Sequence, residues 1–146
     1  MTRKSILLTA VCLAFCLCSV AQTKTTASKV KQLTYNEFLK GIWDFEKNPN
    51  TFVYKGKEAA IVDFYADWCG PCRKVAPIME KLAKEYDGRL SVYKVNVDQE
   101  KELASAFQIR SIPTVLFIPT EGQPMLKVGA MTEAQFREVI TKHLVK

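Results

Sequence analysis

The stretch Ala59-Ala60-Ile61-Val62-Asp63-Phe64-Tyr65-Ala66-Asp67-Trp68-Cys69-Gly70-Pro71-Cys72 decides how the rest of the chain is read. Its first half is a near-continuous apolar run, the composition of a β-strand covered on both faces. Its second half sets two cysteines, separated by Gly-Pro, where a helix begins. From about Cys69 to Tyr86, Val75, Ile78, Met79 and Leu82 recur on one side, and Gly88 stands just past the end. Two thiols at this spacing can close a small disulfide ring. Free N–H groups and the positive end of the helix dipole stabilise a thiolate at the first of them. Cys69, nearest that end and least covered by helix, is therefore expected to attack, and Cys72 to resolve the mixed disulfide one turn further in. Half of a zinc site is the rival reading. It needs four ligands, and the chain offers no second Cys-x-x-Cys and a single histidine, His143. A purely structural disulfide gains little, because so short a loop removes little chain entropy. No metal and no cofactor are expected.

Working outward, helical and strand patterns alternate. Thr34-Tyr35-Asn36-Glu37 is a capping box opening an amphipathic helix through Phe38, Leu39, Ile42, Trp43 and Phe45, broken at Asn48-Pro49-Asn50. Thr51 to Tyr54 is a short β-prone run, and the whole stretch Asp44 to Lys57 reads as a β-hairpin-like edge added before the strand that leads to the cysteines. Leu90 to Val97 is a strand, Lys101 to Phe107 a short helix, and Thr114 to Ile118 an apolar strand. A turn at Glu121-Gly122-Gln123 leads to a strand around Met125 to Val128. Thr132-Glu133-Ala134-Gln135 is a second capping box, opening a last helix through Phe136, Val139, Ile140 and Leu144. This order gives an α/β layered fold with a partly parallel sheet.

The chain has 146 residues, 48% hydrophobic and 25% charged, with a net charge of +6 and five cysteines. That length fits one domain, and the composition excludes disordered, collagenous and disulfide-dense chains. Three cysteines, Cys12, Cys16 and Cys18, fall near the N-terminus, where Arg3-Lys4 precedes an uncharged stretch from Ile6 to Val20 and small residues stand before Gln22. This is the pattern of a secretory signal peptide cleaved after Ala21. The apolar stretch is short for a membrane span. Phe15 and Leu17 are poor residues to precede a lipid-modified cysteine. Residues 1–21 are thus expected to be a signal peptide, 22–29 a polar flexible lead and 30–146 one domain. Cleavage leaves only Cys69 and Cys72, in a compartment where disulfides persist. The basic residues form no run of five or more, so no nucleic-acid partner is expected, nor a stable membrane anchor.

Val62 to Lys74, with its Trp68-Cys69-Gly70-Pro71-Cys72 core, resembles the thioredoxin signature. Ala76-Pro77-Ile78 resembles the kink in that family's active-site helix. Lys94-Val95-Asn96-Val97-Asp98 resembles its third strand. Ile109-Arg110-Ser111-Ile112-Pro113-Thr114 is similar to its cis-proline loop, and Lys127-Val128-Gly129-Ala130 to its last substrate-facing loop. The resemblance implies a thioredoxin fold, a central mixed sheet flanked by helices. The extended segment before the active-site strand, Asp44 to Lys57, departs from the family in being longer and more polar than the compact connection usual in cytoplasmic members. The resemblance also implies residue roles. Asp63, an acid inside an apolar run, becomes the buried proton acceptor for Cys72, its pKa raised by burial. Lys94 becomes the lysine beside it, although a lysine in an alternating strand more often faces solvent. Pro113 is expected to be cis and to present the Ile112 backbone to an extended substrate, with Trp68, Gly70, Pro71, Gly129 and Ala130 completing the contact surface. Pro77 reads as a structural kink. Tyr65 stands where many members carry tryptophan.

The expected activity is thiol-disulfide exchange on exported proteins in the periplasm or outside the cell. Gly-Pro between the cysteines points to reduction, which there requires a membrane thiol-transfer protein as electron donor. A monomer is expected. Net oxidation or isomerisation, and a non-catalytic binding or chaperone module using the apolar surface, are the alternatives.

Overall fold

The computed structural model describes residues 28–145. The signal-peptide reading of 1–21 and most of the 22–29 lead lie outside the described residues. Ser28 and Lys29, assigned from sequence to the lead, instead touch the helix that follows the cysteines and the turn after it: the Ser28 hydroxyl contacts Glu80, and Lys29 pairs with Asp87 at 2.9 Å.

The centre is a five-stranded mixed sheet in the order β1-β3-β2-β4-β5, with β1 at Lys31–Gln32, β2 at Ala59–Tyr65, β3 at Leu90–Asn96, β4 at Thr114–Ile118 and β5 at Met125–Val128. β1 and β2 run parallel to β3, whereas β4 lies antiparallel to both β2 and β5. The two-residue β1 carries too short a pattern to read from sequence. The helices are α1 (Tyr35–Gly41), α2 (Gly70–Glu85), α3 (Lys101–Ala106) and α4 (Glu133–Val139). Both capping boxes form as read, at Thr34/Glu37 and Thr132/Gln135. The last helix does not run regularly to Leu144. Ile140–Leu144 winds as a π-turn, closed by the Val145 N–H donating to the Ile140 carbonyl at 2.9 Å.

Strand alternation sorts the core into two layers. Ala59 and Ile61 of β2, Leu90 and Val92 of β3, and Val115 and Phe117 of β4 pack under α2 and α4 with Val75, Met79, Leu82 and Phe136. Ala60, Val62, Phe64, Val95, Leu116 and Ile118 face the other way, against Phe38 of α1 and Leu103 of α3. β2 is thus covered on both faces, the reason its sequence is apolar throughout. Asp63 shares the face of Ile61 and therefore points toward α2.

The stretch from Ile42 to Glu58 corrects two expectations. α1 stops at Gly41, so Trp43 and Phe45 lie beyond it, and 51–54 forms no strand. The end of α1 is fixed from outside: the Lys55 ammonium donates to the Leu39 carbonyl at 2.6 Å and the Lys55 N–H to the Ile42 carbonyl at 2.9 Å. The loop then folds around its own aromatic side chains instead of joining the sheet. Trp43 meets Phe45 and Phe52 edge-on at 5.6 and 5.2 Å, and its indole N–H donates to the Thr51 carbonyl. Gly56 has no room for a side chain, since a Cβ there would lie 2.1 Å from the Tyr54 hydroxyl.

Candidate active site

β2 delivers the chain to the cysteines, and the first turn of α2 arranges them. Cys69 is the N-cap, with extended backbone, and its sulfur accepts the Cys72 N–H at 3.2 Å. Pro71 sits in the first turn, where a missing N–H costs no hydrogen bond. Cys69 and Cys72 are joined by a disulfide, with 5.3 Å between their Cα atoms. The greater accessibility expected of Cys69 is not seen, because both residues are 3% exposed. What distinguishes them is their surroundings. Cys69 holds the capping position, where the Cys72 N–H donates to its sulfur, whereas Cys72 borders a cavity.

That cavity, of about 190 Å³, is bounded by Cys72, Asp63, Lys94, Tyr65, Glu80 and Val30 among others. Asp63 is 4% exposed, and one of its carboxylate oxygens has no hydrogen-bond partner among the described residues. Burial pushes its pKa up to about 7, and the nearby Lys94 charge pulls in the opposite direction. Lys94 lies beside Asp63 in the β2–β3 register. Its ammonium sits over the Tyr65 ring, 5.5 Å from the centroid, so the lysine is held at the cavity and is not simply solvent-facing. Tyr65 is itself fixed, its hydroxyl donating to Gln32 of β1 at 3.1 Å.

On the outer side, the Ile112–Pro113 bond is cis, as read. Ile112 packs on the cluster of Ala66, Cys69 and Cys72. The Pro113 carbonyl accepts the Gly129 N–H at 2.8 Å, tying the two loops together, and Gly129 adopts φ +98°, which disfavours any side chain. Trp68 is 69% exposed and lines a shallow groove of about 310 Å³ with Val97, Ile109, Arg110, Ser111 and Ile112. Gly70 and Pro71 form the helix start beside it. Ala130 is exposed next to Gly129 but lines neither the groove nor the cavity. Pro77 lies within α2 and contributes to the cavity wall. No group of three or more His, Cys, Asp or Glu among the described residues is placed to hold a metal ion.

Several residues of the site escaped the sequence reading. Asp98 accepts the Trp68 indole N–H at 2.8 Å and so sets the orientation of the exposed ring. The buried Asn96 links the flanking loops, donating to Asp67 at 3.2 Å and accepting the Asp98 N–H at 3.0 Å. Glu80 reaches the cavity from α2. Its signal was present, since Cys72, Ala76 and Glu80 are spaced at i, i+4 and i+8 and share one helix face.

A cysteine pair capping a helix, set between a buried carboxylate and a cis-proline loop on this sheet, defines a thiol-disulfide oxidoreductase of the thioredoxin fold. The Thioredoxin family model matches residues 43–142. The thioredoxin of Borreliella burgdorferi is 43% identical over 108 residues, spanning 74% of this chain and 92% of its own length. The chloroplastic M-type thioredoxin of Spinacia oleracea is 42% identical over 93 residues, 64% of this chain and 51% of its own. The crystal structure of chloroplastic thioredoxin z superposes with a TM-score of 0.65 at 29% identity, over 77% of this chain and 92% of that one. The chain belongs to the thioredoxin family and is a thiol-disulfide oxidoreductase.

Proposed function

We propose that this protein reduces disulfides of exported proteins through Cys69 and Cys72. The observation that carries this reading is the pairing of Cys72 with an unpartnered, buried Asp63 across one cavity. The Cys69 thiolate attacks a client disulfide, forming a mixed disulfide and releasing one client thiolate. Cys72 then gives its proton to the Asp63 carboxylate and attacks the Cys69 sulfur. The second client thiolate leaves, and the Cys69–Cys72 disulfide remains. Lys94 tunes the charge on Asp63. Trp68, Gly70, Pro71, Ile112, Pro113, Gly129 and Ala130 form the face on which an extended client segment lies, with backbone pairing at Ile112.

Two electrons must then return to the pair. The charged start, uncharged stretch and small residues before Gln22 support export to the periplasm or beyond, where a membrane thiol-transfer protein is the fitting donor. The protein acts as a monomer in this scheme. A Cys72→Ser variant is expected to accumulate mixed disulfides with exported proteins, and Cys69→Ser to accumulate none. Absence of trapped species from Cys72→Ser sinks the exchange scheme and favours a binding module. A reduction potential above about −180 mV turns the assignment from reductase to oxidase or isomerase.

A further inference from the structure

We propose that Glu80 is the carboxylate through which the buried Asp63 passes its proton to solvent, an inference that rests on Asp63 being the base for Cys72. The mechanism requires Asp63 to gain a proton in every reductive turnover and to lose it before the next. Among the described residues nothing hydrogen-bonds to one of its oxygens, so no direct relay leads from it. The groups around it are few. β3 presents Lys94, β2 presents Tyr65, and α2 presents Cys72 and Glu80, whereas the β4 residue paired with Asp63 is the apolar Val115. The Lys94 side chain is held over the Tyr65 ring, and neither group is a carboxylate. Glu80 is the other carboxylate on the cavity wall.

Its position suits the task. Asp63 is 4% exposed, whereas Glu80 is half-buried and stands at the border of cavity and surface. A cavity of about 190 Å³ with two carboxylates on its wall accommodates several waters, each occupying about 30 Å³ of liquid volume. The proton moves from the Asp63 carboxyl through that water to the Glu80 carboxylate and on to bulk solvent, leaving both groups ionised and ready. The Ser28 hydroxyl contacts Glu80 and accepts the Val30 N–H at 3.2 Å, so the N-terminal segment, whose Val30 lines the cavity, runs beside this exit. Glu80 touches neither sulfur nor client and is a positioning residue for the proton.

The test follows single turnovers of the reduced full chain with a peptide disulfide, in buffers of rising concentration at fixed pH and ionic strength. Glu80→Gln is expected to slow the deprotonation of Asp63 that follows resolution, read as the decay of its protonated-carboxyl infrared band, by about tenfold in dilute buffer, the low side of what positioned proton transfer contributes. The rate should climb back toward that of the unmodified chain as a small imidazole buffer is added, and Glu80→Asp should behave like the unmodified chain. Ser28→Ala removes the Glu80 contact but keeps its carboxylate, so it should show no buffer dependence. An unchanged Glu80→Gln rate overturns the proposal. So does a slowed rate that buffer does not restore, or a Ser28→Ala defect equal to that of Glu80→Gln. Asp63→Asn is run alongside. If it resolves mixed disulfides at full rate, the base assignment itself fails, an outcome distinct from a failure at Glu80.

Discussion

Two side-chain carboxylates are buried among the described residues, and they lie in opposite circumstances. Asp44 is 8% exposed but fully engaged: it accepts the Lys47 N–H at 3.3 Å and pairs with the ammonium groups of Lys47 and Lys55 at 3.3 and 3.5 Å. Burial alone would raise its pKa, but these hydrogen bonds and charges outweigh it and hold the carboxyl below its ordinary value. Asp63 is more deeply buried, lacks such bonds on one oxygen and is pushed up to about 7. Burial is common to both. Partnering separates a carboxyl held low, which pins a loop, from one that burial pushes up.

The comparison breaks most visibly at Asp63. A carboxyl at about 7 when folded and 3.8 when unfolded gives stability that is full below about pH 4 and lost as pH rises through 7. By the usual conversion that loss is about 4 kcal/mol at its upper limit. Asp63→Asn should therefore raise the denaturation midpoint at pH 8, with the gain shrinking to nothing by pH 4. It should also slow resolution of mixed disulfides about a hundredfold near pH 7. A stabilisation independent of pH would mean that Asp63 is not held protonated by its surroundings.

The aromatic region around Asp44 should answer differently. Phe38 is fully buried and meets Phe107 at 5.1 Å and Phe45 at 6.2 Å. Phe38→Ala should lower stability by about 3 kcal/mol by leaving a cavity, with the exchange rate per folded molecule unchanged. An exchange rate falling as far as for Asp63→Asn would show that the loop and the site are one mechanical unit. Asp44→Asn should destabilise, by less than Phe38→Ala and with the pH slope reversed. Its contribution is present above the ordinary carboxylate pKa and is lost in acid, so variant and parent should converge in chemical denaturation below about pH 3.

The two acids also show what a sequence carries. Asp63 was legible because β2 is apolar on both faces, so any charge within it must be buried. The same apolar run and the helical stripe after it located Cys69 and Cys72, and their chain neighbours gave Trp68, Gly70 and Pro71. Asp44 was not legible, because its partners are brought by a loop with no periodic pattern. There, Thr51 to Tyr54 has the composition of a strand, yet Phe52 and Tyr54 stack on each other at 6.4 Å in place of sheet pairing. Glu80 and Asp98 lay in plain view on regular elements. What they touch is set by the meeting of distant segments, Ser28 with α2 and Trp68 with the end of β3.

Asp98 sharpens the comparison from the solvent side, as a carboxylate that is partnered but exposed. Its single hydrogen bond to the Trp68 indole should contribute little to folding, about 1 kcal/mol or less at a surface position. Its effect should appear in recognition, because an oriented ring loses less freedom when a client docks than a rotating one. Asp98→Ala is expected to leave the reduction potential and the pH profile unchanged while weakening client affinity a few-fold, read as a higher KM at constant kcat. A shifted pH profile would give Asp98 the sulfur-tuning role proposed for Asp63. An unchanged KM would leave the indole orientation without consequence for binding.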